Sequence, residues 1–199
     1  MLGKSKTSSK NLLSVNKSEI CGDFMILLVV DIQKGIMNDA LYDYDGFSAR
    51  VVRLIAGARS HGHEVIFFQH DDGPGSGFSY GDRDFELAEV ISPMAGEKVF
   101  VKDRSSCFTN PQFVGYMEKQ ADKRLLVVGL QTNYCIDATV QAAADRGYEV
   151  FAPKGCNSTF DNDYMNAETT VRYYNQEIWP KRFARCIAFE EAMNLLEGE

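Results

Sequence analysis

Six short segments of the chain are rich in β-branched and aliphatic residues, which is typical of strands. Each is largely apolar along its length instead of alternating between apolar and polar positions, as expected for strands that helices cover on both faces. The segments are MILLVV at 25–30, EVIFFQ at 64–69, KVFVK at 98–102, RLLVVG at 124–129, YEVFA at 148–152 and RCIAF at 185–189. We therefore predict a six-stranded sheet buried between two helical layers.

Segments with helical periodicity lie between these strands. One apolar face has the spacing i, i+4, i+7, i+8 and i+11 and consists of Phe47, Val51, Leu54, Ile55 and Ala58, and Gly62 ends that helix. Further helices are predicted at 110–120, where Asn110-Pro111 supplies an N-cap and a first turn, and at 134–146, 166–179 and 190–196. This alternation implies parallel pairing, so the predicted fold class is α/β, with three α/β/α layers around a six-stranded, mainly parallel sheet.

The composition limits the kind of protein this is. A chain of 199 residues that is 45% hydrophobic and 25% charged corresponds to one globular domain, which we place at residues 25–199. Residues 1–24 are polar and contain four lysines without an apolar core, so we predict a flexible N-terminal extension that need not belong to the native protein.

Charge and cysteine usage restrict partners and location. The net charge of −7 and the absence of a basic run argue against nucleic acid, and the apolar run at 24–30 is shorter than the ~20 residues of a membrane span. Five widely spaced cysteines contain no C-x-x-C pair, so we expect neither disulfides nor a zinc ribbon. A cytoplasmic protein without a membrane partner is the resulting expectation.

Reactive residue types follow several of the predicted strands. In open parallel sheets functional groups gather beyond the carboxyl ends of the strands. Here the first strand ends in Asp31, the second in His70-Asp71-Asp72 and the third in Lys102, while the fourth leads through Gly129 to Cys135. The sequence thus predicts an acid, an amine and a thiol at one edge of the sheet.

Cys135 follows two residues that favour helix N-caps, Thr132 and Asn133. A thiol in the first turn of a helix is expected to have a pKa below its reference value of ~8.5. The alternative is a small cysteine packed in the core, which is the commoner fate of free cysteines. Asp31 alone would fit a loop cap and Lys102 a side chain that extends to the surface, but together with Cys135 they supply a base, a charge stabiliser and a nucleophile.

Three motifs occur in order along the chain: D-x-Q at 31–33, Lys102 with S-x-F at 106–108, and G-L-Q-T-x-x-C-I-x-x-T-x-x-x-A at 129–143. With them, residues 25–196 resemble the isochorismatase-like hydrolase superfamily of Rossmann-type folds, which includes nicotinamidases and N-carbamoylsarcosine amidases. The resemblance implies an Asp31-Lys102-Cys135 triad, a cis peptide between Leu130 and Gln131, and an oxyanion hole formed by the backbone of Gln131 and Cys135.

The activity that this resemblance implies is hydrolysis of a C–N bond in a small amide, ureide or lactam through a thioester. Members that cleave a vinyl ether lack the cysteine, so Cys135 favours amide chemistry. The sequence HDDGPGS, at 70–76, also resembles a branch that includes a streptothricin hydrolase. A non-catalytic or redox-sensing protein with a reactive Cys135 stays open as an alternative.

No cofactor is expected, and the sequence lacks the paired histidines of the zinc-dependent relatives. We therefore predict no required metal, although His70 with Asp71 or Asp72 leaves that question open. Predicted pocket residues are Gln33, His70, Phe108 and Tyr134, of which the last two would equally fit the core. The glycine-rich loop at 73–82 is expected to form a flap. We expect a small-molecule substrate and, from the resemblance, a homo-oligomer.

Overall fold

The computed structural model describes residues 24–198, which form seven strands and five α-helices. The strands are β1 (Ile26–Val30), β2 (Glu64–His70), β3 (Lys98–Lys102), β4 (Arg124–Leu130), β5 (Glu149–Pro153), β6 (Asn157–Ser158) and β7 (Arg185–Ile187). The predicted N-terminal extension lies, except for Phe24, outside the described residues. The bounds of the six predicted strands agree with the structure to within one or two residues.

All strand pairs in the sheet are parallel, and the order is β3-β2-β1-β4-β5-β7. The predicted, mainly parallel sheet is therefore confirmed. The additional strand β6 pairs in parallel with the end of β4, at Gly129 and Leu130. It was not predicted because two polar residues, Asn157 and Ser158, carry no apolar pattern.

The helices are α1 (Tyr44–Ser60), α2 (Pro111–Met117), α3 (Asp137–Asp145), α4 (Ala167–Tyr173) and α5 (Phe189–Glu197). The side chain of Asn110 caps α2 as predicted, accepting a hydrogen bond from the backbone N–H of Phe113 at 2.9 Å. The predicted helices at 134–146 and 166–179 are each divided, because π-helical turns occupy Thr132–Ile136 and Tyr174–Ile178. Within residues 24–198, no helix has the length and apolar character needed to cross a bilayer.

Two separate apolar cores confirm the three-layer arrangement. Leu27 and Val29 of β1 belong to the core that contains the buried faces of α1 and α5. Leu28 and Val30, one residue out of phase, belong to the core that contains residues of α2 and α3. Successive side chains of a strand point to opposite faces of the sheet, so a continuously apolar strand requires both cores.

The edge strand β3 departs from the prediction of complete coverage. Val99 and Val101 are 42% and 40% exposed, although Lys102 at the end of the same strand is buried. The expectation that every strand is covered on both faces is therefore wrong for β3. Successive side chains of a strand point to opposite faces, so at this edge of the sheet the face with Val99 and Val101 is open while the face with Lys102 is covered.

The chain order brings the reactive strand ends together. The chain passes from β1 outward to β2 and β3, and then returns to β4 on the other side of β1. Ligand sites of open α/β sheets lie where the strand order reverses in this way. Gly129 permits the close contact of β4 with β1, since a Cβ atom on it would lie 2.0 Å from the carbonyl oxygen of Val30.

Candidate active site

Asp31 and Lys102 form a buried ion pair at the carboxyl end of the sheet. The Nζ atom of Lys102 lies 2.7 Å from Oδ2 of Asp31, and the side chains are 0% and 2% exposed. Asp31 directly follows β1 with φ 53°, a backbone conformation in which aspartate is more common than most residues. Two chain-distant residues are thus held together because β1 and β3 flank the same strand, β2.

His70, the last residue of β2, lies between these two strands and contacts the ion pair. Its Nδ1 atom is 3.0 Å from Lys102 Nζ, and its Nε2 atom is 3.0 Å from Oδ1 of Asp72. An ammonium can only donate a hydrogen bond and a carboxylate can only accept one. Both contacts are satisfied by the neutral tautomer that carries its proton on Nε2.

Cys135 lies on the π-helical turn Thr132–Ile136, which follows β4. Reactive atoms of Cys135, Asp31 and His70 all lie within 4.8 Å of one another. The second carboxylate oxygen of Asp31, Oδ1, is buried without a hydrogen-bond partner among the described residues. This oxygen is therefore available to accept the proton of the thiol. The Leu130–Gln131 peptide bond is cis, as the resemblance implies.

The protonation states follow from burial and from the neighbouring charges. Burial raises the pKa of Asp31, an effect that the adjacent Lys102 ammonium offsets only in part. Burial disfavours the ammonium of Lys102, but the Asp31 carboxylate and the neighbouring cysteines together outweigh this effect, so the pKa of Lys102 is raised. Asp31 is thereby a stronger base than a solvent-exposed carboxylate, while Lys102 stays positively charged.

The expectation of a lowered thiol pKa is wrong for the unliganded protein. Burial, together with the carboxylate of Asp31, raises the pKa of Cys135 to about 12 despite the opposing effect of Lys102. The prediction considered the helix terminus alone and omitted the loss of solvent around the thiol. Cys135 is consequently a neutral thiol at rest, and a base must remove its proton for the sulfur to act as a nucleophile.

Thr132 and Asn133 do not act as the predicted N-caps. The turn begins at Gln131 without a side-chain cap, and Thr132 instead donates a hydrogen bond from Oγ1 to Oδ1 of Asn157 at 2.9 Å. The Asn133 amide oxygen accepts from the hydroxyl of Thr159 at 2.7 Å. These side chains therefore attach the turn that carries Cys135 to the segment that contains β6.

The segment Asn157-Ser158-Thr159 supports the cysteine turn in a way that sequence reasoning missed. The three side chains are at most 2% exposed, and the amides of Asn157 and Asn175 exchange hydrogen bonds of 3.1 and 2.9 Å. Three consecutive polar residues after a predicted strand were the available signal, since buried polar groups require specific partners.

A cavity of about 320 Å³ opens above Asp31 and Cys135. Its apolar and aromatic lining consists of Ile36, Phe78, Leu130 and Tyr134, and its polar lining consists of Asp31, His70, Asp72, Ser105, Gln131 and Cys135. Two of the four predicted pocket residues, His70 and Tyr134, therefore lie where the sequence placed them. The size is that of a small-molecule site.

Gln33 does not line this cavity, which corrects the prediction. It is fully buried, and its amide nitrogen donates to the carbonyl oxygens of His70 at 3.0 Å and Phe85 at 2.8 Å. Its amide oxygen accepts from the backbone N–H of His70 at 2.7 Å. Gln33 thus holds the end of β2 in position, and it supports the pocket from behind.

Phe108 is likewise a core residue and not a pocket residue. It is 6% exposed and packs against Phe113 and Tyr148, with ring centroids 5.1 and 5.6 Å apart. The alternative interpretation of this residue as a core aromatic is correct. The position of Phe108 shortly after β3 does not bring its side chain to the cavity, because a short 3₁₀ helix at Cys107–Thr109 turns the side chain inward.

The glycine-rich loop at 73–82 contributes Phe78 to the cavity wall. Asp71 stabilises the start of this loop by accepting a hydrogen bond from the backbone N–H of Gly73 at 2.8 Å. A Cβ atom on Gly35 would lie 2.8 Å from the ring of Phe78 and 2.7 Å from Cβ of Asp84. The absence of a side chain at Gly35 therefore lets the Phe78 ring pack closely against this segment.

Among the residues that the structure describes, three side chains of types that bind metals lie near enough to one another to hold an ion: Asp31, His70 and Cys135. The Lys102 ammonium already contacts Asp31 and Nδ1 of His70, and Asp72 contacts Nε2. A divalent cation would have to displace this ammonium and would be repelled by it. The donor set therefore fits poorly with a resident metal.

Comparison with known proteins places this architecture in a family. Residues 25–187 match the family model described as "Isochorismatase domain". The ureidoacrylate amidohydrolase RutB of Yersinia enterocolitica is 27% identical over 153 residues, which cover 58% of this chain and 66% of RutB. Streptothricin hydrolase of Streptomyces noursei is 28% identical over 137 residues, which cover 68% of this chain but only 54% of that protein.

Solved structures show the same fold. A putative hydrolase of the isochorismatase family from Chromobacterium violaceum superimposes with a TM-score of 0.82 over 90% of this chain and 96% of its own, at 20% identity. Identity at that level supports the fold alone, whereas the family model matches most of the chain. The chain therefore belongs to the isochorismatase family, which includes hydrolases.

Proposed function

We propose that this protein is a cysteine hydrolase that cleaves a C–N bond of a small amide, ureide or lactam through a thioester intermediate. The observation that carries the proposal is the position of the Asp31 carboxylate, which has a buried oxygen without a hydrogen-bond partner and lies in the same 4.8 Å cluster as the Cys135 sulfur. A carboxylate of raised pKa next to a neutral thiol is the arrangement that general-base activation requires.

In the first half-reaction, the thiol proton moves to Asp31 as the sulfur attacks the substrate carbonyl carbon. Lys102 stabilises the negative charge near the sulfur, because it remains an ammonium and lies close enough to Cys135 to lower the pKa of the thiol. The C–S bond forms and the carbonyl π electrons move to oxygen. When the tetrahedral intermediate collapses, the C–N bond breaks and protonated Asp31 gives its proton to the departing nitrogen.

In the second half-reaction, the ionised Asp31 removes a proton from water, and the resulting hydroxide adds to the thioester carbonyl. The C–S bond then breaks, and the sulfur takes back the proton from Asp31. The net reaction consumes one water and yields a carboxylic acid and an amine or ammonia. The backbone N–H groups of Gln131 and Cys135 are proposed to bind the oxyanion in both halves, a contribution of about 3 kcal/mol per donor in comparable sites.

The relatives support a C–N substrate. RutB is named an amidohydrolase and streptothricin hydrolase is named for hydrolysis of its substrate. The redox-sensing alternative is disfavoured by the thiol itself, because peroxides oxidise the thiolate and burial raises the pKa of Cys135 to about 12. A sensor requires a thiol that is ionised at rest, whereas the triad ionises it during attack.

The proposal includes metal independence, because the Lys102 ammonium occupies the position that a cation would need. It also includes a cytoplasmic homo-oligomer. The four described cysteines are all free, which is consistent with a reducing compartment. Dialysis against a chelator is expected to leave turnover unchanged, and a loss of activity that zinc restores would contradict this part.

The deciding experiment is a screen of the purified protein for ammonia or amine release from amides, ureides and lactams. Cys135→Ala is expected to reduce turnover by about 10⁴-fold or more, as removal of a nucleophile does in other triads. Cys186→Ala, the same change at a half-buried cysteine of β7, serves as the control and should retain full turnover. Trapping of an acyl group on Cys135 by mass spectrometry would identify the intermediate.

Absence of turnover across a broad panel would contradict the proposal. So would equal loss of activity in the Cys135 and Cys186 variants, because that outcome would indicate a general effect on folding. Folded content is therefore compared for the two variants by circular dichroism.

A further inference from the structure

The cavity carries a net negative charge once each ionisable group is assigned. The Asp31 carboxylate and the Lys102 ammonium cancel each other at 2.7 Å. Cys135 is a neutral thiol, because burial raises its pKa to about 12, and His70 contacts Lys102 as a neutral acceptor. The remaining charged group of the lining is Asp72.

Lys102 cannot balance the charge of a substrate. Its side chain is 0% exposed, and its ammonium already contacts Asp31 and His70. The described lining of the cavity contains no arginine and no lysine. A carboxylate on a bound substrate would therefore meet no free cation in this cavity.

Asp72 is placed to contact a substrate. Its side chain is 55% exposed, and Oδ1 accepts a hydrogen bond from Nε2 of His70 at 3.0 Å, which fixes its orientation. Two aromatic side chains, Phe78 and Tyr134, line the same cavity. Aromatic faces attract cations through their electron density, so the wall as a whole favours positive charge.

We propose that this cavity selects substrates that carry an ammonium or guanidinium group near the scissile bond and rejects carboxylates, with Asp72 as the residue that determines the choice. The inference rests on the proposed function and specifies its substrate class. It separates this chain from RutB, whose named substrate, ureidoacrylate, contains a carboxylate. The cation contacts Asp72 while Cys135 attacks the carbonyl carbon.

The expected size of the effect follows from Coulomb's law. Two unit charges about 6 Å apart change a rate or binding constant by a factor of about 3 even at the dielectric constant of water. A cation gains this factor and an anion loses it, so the expected preference is about tenfold at low ionic strength. Added salt should reduce the preference, since an exposed carboxylate is screened.

The first test compares three amides of matched length: 4-aminobutanamide, 4-hydroxybutanamide and succinamate. For the wild type at low ionic strength, we expect kcat/KM for ammonia release to be highest with the ammonium compound and about tenfold lower with the carboxylate. Asp72→Asn removes the charge with little change in size and should reduce that ratio about threefold to tenfold. Asp145→Asn, an exposed position at the far end of α3, is the charge-matched control and should leave the ratio unchanged.

The second test measures the charge of the cavity without catalysis. Two methanethiosulfonate reagents, one with a trimethylammonium group and one with a sulfonate group, are reacted with Cys135, and the modified peptide is quantified. The rate with the trimethylammonium reagent is divided by the rate with the sulfonate reagent, and this ratio is normalised to the same ratio for a small thiol in solution. The normalised ratio should be about 10. Because a change in the thiolate fraction affects both reagents equally, only the local charge alters the ratio.

The outcomes separate this inference from the proposed function. A cation preference at Cys135 that falls in Asp72→Asn but not in Asp145→Asn supports the inference even if none of the three amides is hydrolysed. A ratio near 1, or faster reaction with the sulfonate reagent, overturns it whatever the enzyme hydrolyses. Preferred hydrolysis of succinamate by the wild type would also overturn it.

Discussion

The floor of the site, defined here as Asp31, Lys102 and Cys135, differs sharply from its wall, defined as Asp72, Phe78 and Tyr134. Asp31 and Lys102 are at most 2% exposed and lie at strand ends, whereas Asp72 is 55% exposed at its side chain and Tyr134 is 56% exposed. Burial strengthens each electrostatic interaction of the floor and fixes its geometry. The wall is solvated, so the charge of Asp72 can affect which substrate binds without altering the reaction at Cys135.

The largest effects are expected where the floor is broken. Lys102→Met leaves the Asp31 carboxylate buried without its cation, which costs about 3–5 kcal/mol of unfolding free energy in comparable pairs. Turnover should fall by about 10³-fold or more, because the charge near the sulfur is no longer stabilised. Urea denaturation and ammonia release measure the two effects separately.

A double variant sharpens this result. Asp31→Asn combined with Lys102→Met removes both charges, so much of the lost unfolding free energy should return while turnover stays absent. If the Lys102 single variant were as stable as the wild type, the ion pair would not have the energetic role assigned to it.

The pH dependence of thiol modification tests the raised pKa of Cys135. With a pKa of about 12, the thiolate fraction of the native protein rises about 100-fold from pH 8 to pH 10, against about fourfold for an ordinary cysteine with a pKa of ~8.5. The rate of iodoacetamide modification at Cys135 should follow this steeper rise, with urea-unfolded protein as the control. A plateau below pH 8 would mean that the turn lowers the thiol pKa after all.

Two substitutions of His70 separate its contacts with the floor and with the wall. Asn places an amide atom near the position of Nδ1 and retains an acceptor for Lys102, whereas Gln reaches the position of Nε2 and retains a donor for Asp72. If His70 positions the ammonium, His70→Gln should lower kcat by about tenfold or more and His70→Asn by only a few-fold. The reverse order would show that the Asp72 contact matters more for the rate.

The smallest effect is expected in the wall behind Phe78. Gly35→Ala would place a Cβ atom 2.8 Å from the Phe78 ring and push that ring away from its present position. We expect KM to rise a few-fold with kcat nearly unchanged, because the triad is not touched. Gly115→Ala, where a Cβ atom meets nothing within 4 Å, is the matched control. A large loss of kcat in Gly35→Ala would show that floor and wall are not independent.

Local patterns were sufficient for the architecture and for placing Asp31, Lys102 and Cys135 at one edge of the sheet. Strands, helices and their alternation imply a parallel sheet, and parallel strands bring their carboxyl ends to one edge. Asp31, Lys102 and Cys135 lie together for this reason, although Asp31 and Lys102 are 71 residues apart in the chain. The cis peptide at Leu130–Gln131 came from the resemblance and not from any local pattern.

What the sequence by itself determined, then, is which residues reach the rim of the sheet, because strand periodicity and chain order are local properties. Only the tertiary structure decided where the side chains point and how strongly they are ionised. Gln33 binds the backbone of His70 instead of the substrate, Phe108 turns into the core, and Thr132 bonds to Asn157 instead of capping its own turn. These outcomes, like the raised pKa of Cys135, depend on solvent exclusion and on partners far away in the chain, which no local pattern records.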